Sequence, residues 1–139
     1  MPAKLSSLRV DLEREKDGDW VPSLVYPGVE YHVSSMHTPA YQRDLELMTM
    51  RLARKYKGAP VPPEERAVES GKLYARHILH GWRGLDVEYT PEVALETLTD
   101  PAFRPLTGDI ITCSMRLGEP DVEYLKAEEG NSAAPSAGH

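Results

Sequence analysis

The chain has 139 residues, the length of a single domain, and its 40% hydrophobic and 27% charged residues are typical of a folded globular protein and exclude a largely disordered one. Its formal charge of -6 disfavours binding to nucleic acid phosphates. No segment approaches the roughly 20 apolar residues that span a bilayer, so we expect no membrane protein.

Alternating apolar residues predict β-strands in the first quarter of the chain. The alternation runs through Leu8, Val10 and Leu12 and again through Val29, Tyr31 and Val33. Asp17-Gly18 would close a hairpin onto a second strand at Trp20-Val21, and Pro27-Gly28 would make the next turn. The N-terminal quarter is therefore predicted to be a small antiparallel β-meander.

A long helix is predicted over residues 39–57, because Thr38-Pro39 is a typical helix start. Its apolar residues recur at helical spacing and form one stripe, namely Tyr41, Leu45, Met48, Leu52 and Tyr56. Gly58 ends this helix, and a proline-rich connector follows.

A second helix is predicted to begin at Pro63, where two glutamates complement the helix dipole. Its predicted buried face consists of Val68, Gly71, Ala75, Ile78 and Leu79. His77 and His80 would occupy the last turn, Gly81 would end the helix, and Trp82 would pack against its end.

Thr90-Pro91 predicts a short third helix over residues 91–99, and Asp100-Pro101 precedes a last helix that is firm only from about residue 107. The side chains predicted to face inward in this region are Phe103, Leu106, Ile110, Cys113 or Ser114, and Leu117. Residues 121–129 could add weak helical turns. The sequence thus predicts a mainly helical α+β domain over residues 1–125 and a flexible tail over residues 126–139.

No catalytic, cofactor or metal site is predicted. His77 and His80 could share a helix face as metal ligands with His32 or His37, but no Cys pair or HExxH motif accompanies them. A nucleophile could be drawn from Cys113 and a histidine, although a free cysteine in an apolar stripe is usually a small core residue. The single cysteine and the absence of a secretory signal predict a cytoplasmic protein.

Two stretches in series resemble the small tail assembly chaperones of long-tailed bacteriophages and prophages. They are HTPAYQRDLELMTMRLARKY, similar to the entry into the family's first long helix, and HILHGWRGLDVEYTPEVALETLTDPAFRPLTGDIITCS, similar to its Trp-Gly turn and later helix starts. The short loop after Trp82 and the position of Gly71 within the second helix depart from the family pattern.

The resemblance implies a non-enzymatic protein of the host bacterial cytoplasm, absent from the mature virion. Its partners would be the tape measure protein and the major tail tube protein, and self-association is left open. Six candidate protein-binding residues follow from the apolar faces, namely Tyr41, Met48, Tyr56, Trp82, Tyr89 and Phe103; Met50 is a further apolar residue of the first long helix. Two alternatives are kept: a structural virion component, such as a tail terminator or head-tail connector subunit, and a small enzyme that uses the histidines.

Overall fold

A computed structural model describes residues 2–120 of the chain, which contain three short strands and five α-helices. The helices are α1 (Leu12–Asp17), α2 (Pro39–Lys55), α3 (Pro63–Leu73), α4 (Pro91–Leu98) and α5 (Arg104–Arg116), and the strands are β1 (Asp19–Pro22), β2 (Glu30–Val33) and β3 (Leu79–Arg83). Short 3₁₀ turns occur at Leu5–Leu8 and Pro101–Phe103, and a π-helical turn at Tyr74–Ile78 leads from α3 into β3. The predicted α+β, mainly helical fold is confirmed.

The three strands form one antiparallel sheet in the order β1-β2-β3. Val21 pairs with Tyr31 and Tyr31 pairs with Trp82, so these three side chains lie on the same inner face. The pairing of β2 with β3 has an irregularity beside His32, which is paired with Gly81, while Val33 is paired with Leu79. His80 is therefore the extra residue of a β-bulge.

The predicted strand through Leu8, Val10 and Leu12 is wrong. This segment forms a 3₁₀ turn followed by α1, because the Asp11 side chain accepts a hydrogen bond from the backbone N–H of Arg14 and caps the helix. Leu8 is 46% exposed and Leu12 is 69% exposed, so the alternating apolar residues of this segment do not form a buried face. Gly18, at φ 84°, ends α1 and is no part of a hairpin turn.

The second helix was predicted to continue through His80 and to end at Gly81, and this is also wrong. α3 ends at Leu73, and residues Leu79–Arg83 form the third strand of the sheet. The backbone of Ser34 donates to the carbonyl of Ile78, so the end of β2 directs the chain out of the helical path and into pairing. The sheet is consequently not an N-terminal meander, because its third strand follows α2 and α3.

The other helices agree with prediction at most of their ends. α2 begins at Pro39 and is followed by a left-handed turn at Lys57 and Gly58, and α4 covers most of the predicted range 91–99. α5 begins at Arg104, earlier than predicted, and Phe103 is 45% exposed although it was predicted to face inward. The predicted features at residues 121–139 lie outside the described residues.

A buried carboxylate ties the sheet to α5. Asp109 accepts hydrogen bonds from the hydroxyl of Tyr31 at 2.7 Å, the hydroxyl of Ser23 at 2.5 Å and the backbone N–H of Leu24 at 3.3 Å. Burial, followed by the hydrogen bond to Asp109, raises the pKa of Tyr31. Because Ser23 and Leu24 lie after β1, this contact fixes the β1–β2 loop on α5.

A close backbone contact fixes α3 against the end of α4. A Cβ atom built at Gly71 would lie 2.1 Å from the carbonyl oxygen of Leu98, so only glycine allows the two helices to approach so closely. Gly71 therefore has a packing role within α3. None of the helices in residues 2–120 combines the length and the apolar character that crossing a lipid bilayer requires.

Candidate protein-binding surfaces

The six predicted binding residues differ widely in exposure. Tyr41, Met48 and Trp82 are buried, with 2%, 6% and 8% of their surface exposed, whereas Phe103 is 45% exposed. Tyr56 and Tyr89 are half-buried. The structure brings two of the six together, Trp82 and Tyr89, and distributes the others over separate contacts. Their role in binding stays a prediction.

Tyr41 packs α2 against the π-helical turn. Its ring stacks on Tyr74, with the ring centroids 6.4 Å apart, and meets the edge of His77 at 6.1 Å. Burial of the Tyr41 hydroxyl raises its pKa to about 12. The tyrosine is therefore neutral at physiological pH and belongs to the contact between α2 and the turn.

Trp82 and Tyr89 close a loop over the outer edge of β3. Their rings are perpendicular, with centroids 5.4 Å apart. The indole N–H of Trp82 donates to the carbonyl of Val87 at 2.7 Å, and the hydroxyl of Tyr89 donates to the carbonyl of Leu79 at 3.3 Å. Both polar atoms thus hold the loop in place, as expected for aromatic residues with one polar end.

Ion pairs join α2 to α3 on one side of α2. Arg51 binds Glu69 at 2.6 Å, and Lys55 binds Glu65 near the half-buried Tyr56. The hydrogen bonds from Lys55 and then from Tyr56 hold the pKa of Glu65 below its ordinary value. The cations on this side of α2 are therefore already neutralised by carboxylates of the same chain.

The solvent-facing side of α2, opposite its buried stripe, carries exposed apolar residues between two arginines. We define the outer stripe as Arg43, Leu47, Met50 and Arg54, whose spacing of four, three and four places them on one helix face. Leu47 is 54% exposed and Met50 is 47% exposed, although both are large apolar side chains. The buried stripe of the same helix, including Tyr41 and Met48, lies on the other face.

The two arginines of the outer stripe are not tied to α3. The Arg43 side chain is 73% exposed, and its nearest carboxylate, that of the adjacent Asp44, lies 3.8 Å away. Arg54 forms no ion pair with any residue in the described range 2–120. Leu47, Met50 and both arginines are thus available together at the surface formed by those residues.

A second surface lies on the outer face of the sheet, opposite the core. The Arg83 guanidinium lies 4.0 Å from the centroid of the Trp20 ring, and Glu30 binds Arg83 at 2.8 Å. The Trp20 and His32 ring centroids are 5.3 Å apart, and those of His32 and His80 are 5.8 Å apart. Sequence reasoning missed this row because it placed His80 in a helix, although Trp20 was correctly assigned to a strand.

The two histidines that were predicted to share a helix face bind different partners. His77 Nε2 lies 2.7 Å from Asp44 Oδ2, and this hydrogen bond lowers the pKa of Asp44. His80 Nε2 lies 2.8 Å from the hydroxyl of Ser34, which in turn donates to the carbonyl of His77. Because that hydroxyl has one hydrogen, His80 Nε2 is the donor in their contact.

The pKa of His80 is lowered, first by loss of hydration and second by the neighbouring His32. Within residues 2–120 no group of three or more His, Cys, Asp or Glu side chains is arranged to hold a metal ion. Cys113 is fully buried beneath the sheet, with its sulfur 3.5 Å from the carbonyl oxygen of Pro22, and burial raises the pKa of its thiol.

A groove of about 580 Å³ runs between the N-terminal segment, β1 and the end of α5. Its charged lining consists of Arg9, Arg14 and Arg116 together with Asp11, Asp19 and Glu119. The Arg14 side chain binds Asp19 at 2.8 Å. Since the opposite charges are equal in number, the groove favours no ligand charge, unlike the outer stripe.

A protein-family model described as YdaY prophage protein matches residues 36–131. The matched range is more than half of the chain and contains the whole outer stripe, together with α2 to α5 and β3. No curated protein and no solved structure matches the chain.

Proposed function

The chain belongs to the YdaY prophage protein family, and within that setting we propose that it is a tail assembly chaperone. It binds the tape measure protein and recruits subunits of the major tail tube protein while a prophage tail is assembled. It acts in the cytoplasm of the host bacterium and is absent from the mature virion. Family membership supports the prophage setting, and the resemblance of the two sequence stretches supports the role in tail assembly.

The observation that carries this proposal is the outer stripe of α2. Leu47 and Met50 remain about half exposed on the longest helix of the described chain, where burial against a partner would be favourable. A large apolar side chain contributes roughly 1.5–3 kcal/mol when it is fully buried, so these half-exposed residues would contribute about half of that each. A methionine also adapts to partners of varied shape.

This magnitude suits a reversible chaperone. Two half-buried side chains supply roughly 1.5–3 kcal/mol, whereas micromolar affinity corresponds to about 8 kcal/mol. A single copy would therefore hold a partner weakly, and many copies along a long helical protein would hold it through multivalency. Polymerising tube subunits could then displace the copies one at a time.

The proposed role is non-enzymatic and uses no cofactor, nucleic acid or membrane. Asp44 and Ser34 bind His77 and His80, respectively, which gives both histidines a part in joining neighbouring elements of the fold. The same reasoning leaves Cys113 as a core residue, since its sulfur is fully buried.

Co-expression tests the proposal. The full chain is produced together with a fragment of the tape measure protein encoded by the same prophage, and the soluble fraction of the fragment and its co-purification are measured. We expect the chain to keep the fragment soluble and to purify with it. If the fragment remains insoluble and nothing co-purifies, the proposal is wrong.

Matched variants locate the contact. Leu47→Gln with Met50→Gln removes the apolar pair while preserving helix propensity, and it should abolish co-purification. Leu95→Gln changes a side chain on α4 that is 44% exposed, and it should have no effect on co-purification.

Mass spectrometry of purified phage particles distinguishes a chaperone from a structural virion component, because only a structural component would be found in the particles.

A further inference from the structure

The arginines at the two ends of the outer stripe restrict what can bind there. Helix α2 carries four basic residues: Arg51 and Lys55 bind carboxylates of α3, while Arg43 and Arg54 lie on the outer stripe. The stripe is therefore an apolar pair with a cation beyond each end. Cations at both ends attract a partner that has carboxylates in matching positions.

A second copy of this chain would bring arginines together at both ends of the stripe. If two α2 helices pair in parallel, Arg43 meets Arg43 and Arg54 meets Arg54. If they pair in antiparallel orientation, Arg43 meets Arg54 at both ends. Both arrangements place like charges opposite each other, which disfavours association.

The length and residue spacing of the outer stripe determine where a partner helix must place its matching side chains. Arg43 and Arg54 are eleven residues apart, which is about 16 Å along a helix. The spacing of four, three and four reads the same in both directions, so a partner helix can bind in parallel or antiparallel orientation. Side chains with this spacing lie on one face of the partner helix as well.

We propose that the outer stripe binds an amphipathic helix in which two apolar residues, three apart, are bracketed by two acidic residues eleven apart. Leu47 and Met50 contact the apolar pair, and each arginine contacts one carboxylate. The assignment of this helix to the tape measure protein rests on the proposed function, whereas its chemistry rests on the stripe alone.

The test uses the full chain and two synthetic peptides on an alanine- and glutamine-rich helical background. Both peptides carry leucine at the two apolar positions. One carries glutamate and the other lysine at the two bracketing positions. Because a single contact is weak, binding is measured by NMR chemical-shift titration of the chain with up to about 10 mM peptide, at low and at high salt. We expect the glutamate peptide to bind roughly fivefold or more tightly than the lysine peptide at low salt, with a smaller difference at high salt.

Charge reversal tests the two arginines directly. Arg43→Glu with Arg54→Glu should weaken binding of the glutamate peptide and strengthen binding of the lysine peptide, which reverses the preference. Arg51→Gln is the matched control, because Arg51 lies on the same helix but faces Glu69, and it should leave the preference unchanged. Circular dichroism of each variant checks that the helical content is retained.

Equal affinity for the two peptides, or an unreversed preference in the double variant, would overturn this inference. Such a result leaves the chaperone proposal intact if the tape measure fragment still co-purifies. If the glutamate peptide binds selectively but the tape measure fragment is not captured, the inferred partner chemistry of the stripe is supported and the proposed function is wrong.

Discussion

Replacing Gly71 by alanine should destabilise the fold, although glycine is a poor helix residue. Gly71 lies within α3 at the point where the end of α4 crosses it. An added Cβ would lie 2.1 Å from the Leu98 carbonyl oxygen, 2.8 Å from its carbonyl carbon and 3.1 Å from the Cα atom of Thr99. All three are backbone atoms, so no side chain can rotate away and the helices must separate by roughly 1 Å or more to restore ordinary contact.

The expected magnitude is the difference between two opposing effects. Overpacking of a tight contact costs about 1–3 kcal/mol, and the upper end applies here because the contact is with backbone. Alanine recovers about 1 kcal/mol of helix propensity relative to glycine. We therefore expect Gly71→Ala to lower the free energy of unfolding by about 2 kcal/mol, which lowers Tm by roughly 5–10 °C for a domain of this size.

Thermal and urea unfolding of the full chain, followed by circular dichroism, measure the effect. Gly108→Ala is the matched control, since Gly108 lies within α5 and a Cβ there would meet nothing within 4 Å. The control should gain up to about 1 kcal/mol from helix propensity. The two variants should thus change stability in opposite directions. If Gly71→Ala is as stable as wild type or more so, the close-contact explanation is refuted.

Three further changes test individual contacts. Asp109→Ala removes the acceptor of the buried Tyr31 hydroxyl and should lower the free energy of unfolding, measured in urea, by about 2–3 kcal/mol. Asp109→Asn keeps an oxygen acceptor and should lose less stability. Equal losses in the two variants would contradict this explanation. The pKa of His80 is lowered in the folded chain, so as the pH falls the unfolded chain takes up a proton on His80 before the folded chain does. The free energy of unfolding should therefore decline as the pH falls below about 6.5. His80→Gln should flatten that decline, and an unchanged pH profile would rule His80 out as its cause. Thr90→Ala removes the hydroxyl that caps α4 and should cost about 1 kcal/mol in thermal unfolding, whereas Thr38→Ala at the start of α2, where the hydroxyl forms no capping bond, should cost much less.

Local chemistry made most helix starts predictable. Pro39, Pro63 and Pro91 each begin an α-helix because a proline at the first helical position has a suitable φ angle and no N–H to leave unpaired. This information lies within one or two residues, so no distant part of the chain is needed to interpret it. The Thr-Pro pairs nevertheless differ, since only Thr90 uses its hydroxyl as a cap.

Strand pairing was not predictable in the same way. Residues Leu79–Arg83 form β3 because they pair with Glu30–Val33, a partner that is distant in sequence and that α2 and α3 separate from them. The apolar positions Ile78 and Leu79 are equally compatible with the end of a helix. The sequence also gives Leu8 and Leu12 strand-like alternation, but no strand pairs with them and a capped helix forms instead.

The division of α2 into a buried and an exposed face shows the same difference. Its spacing alone determines that Met48 and Met50 point in different directions, because successive residues turn by about 100° around a helix. Only packing against α3 and the π-helical turn decides that Met48 is 6% exposed and Met50 is 47% exposed. The sequence therefore determined where this helix lies in the chain and which residues share a face, and the tertiary structure decided which face was left for a partner, because burial depends on what the rest of the chain covers.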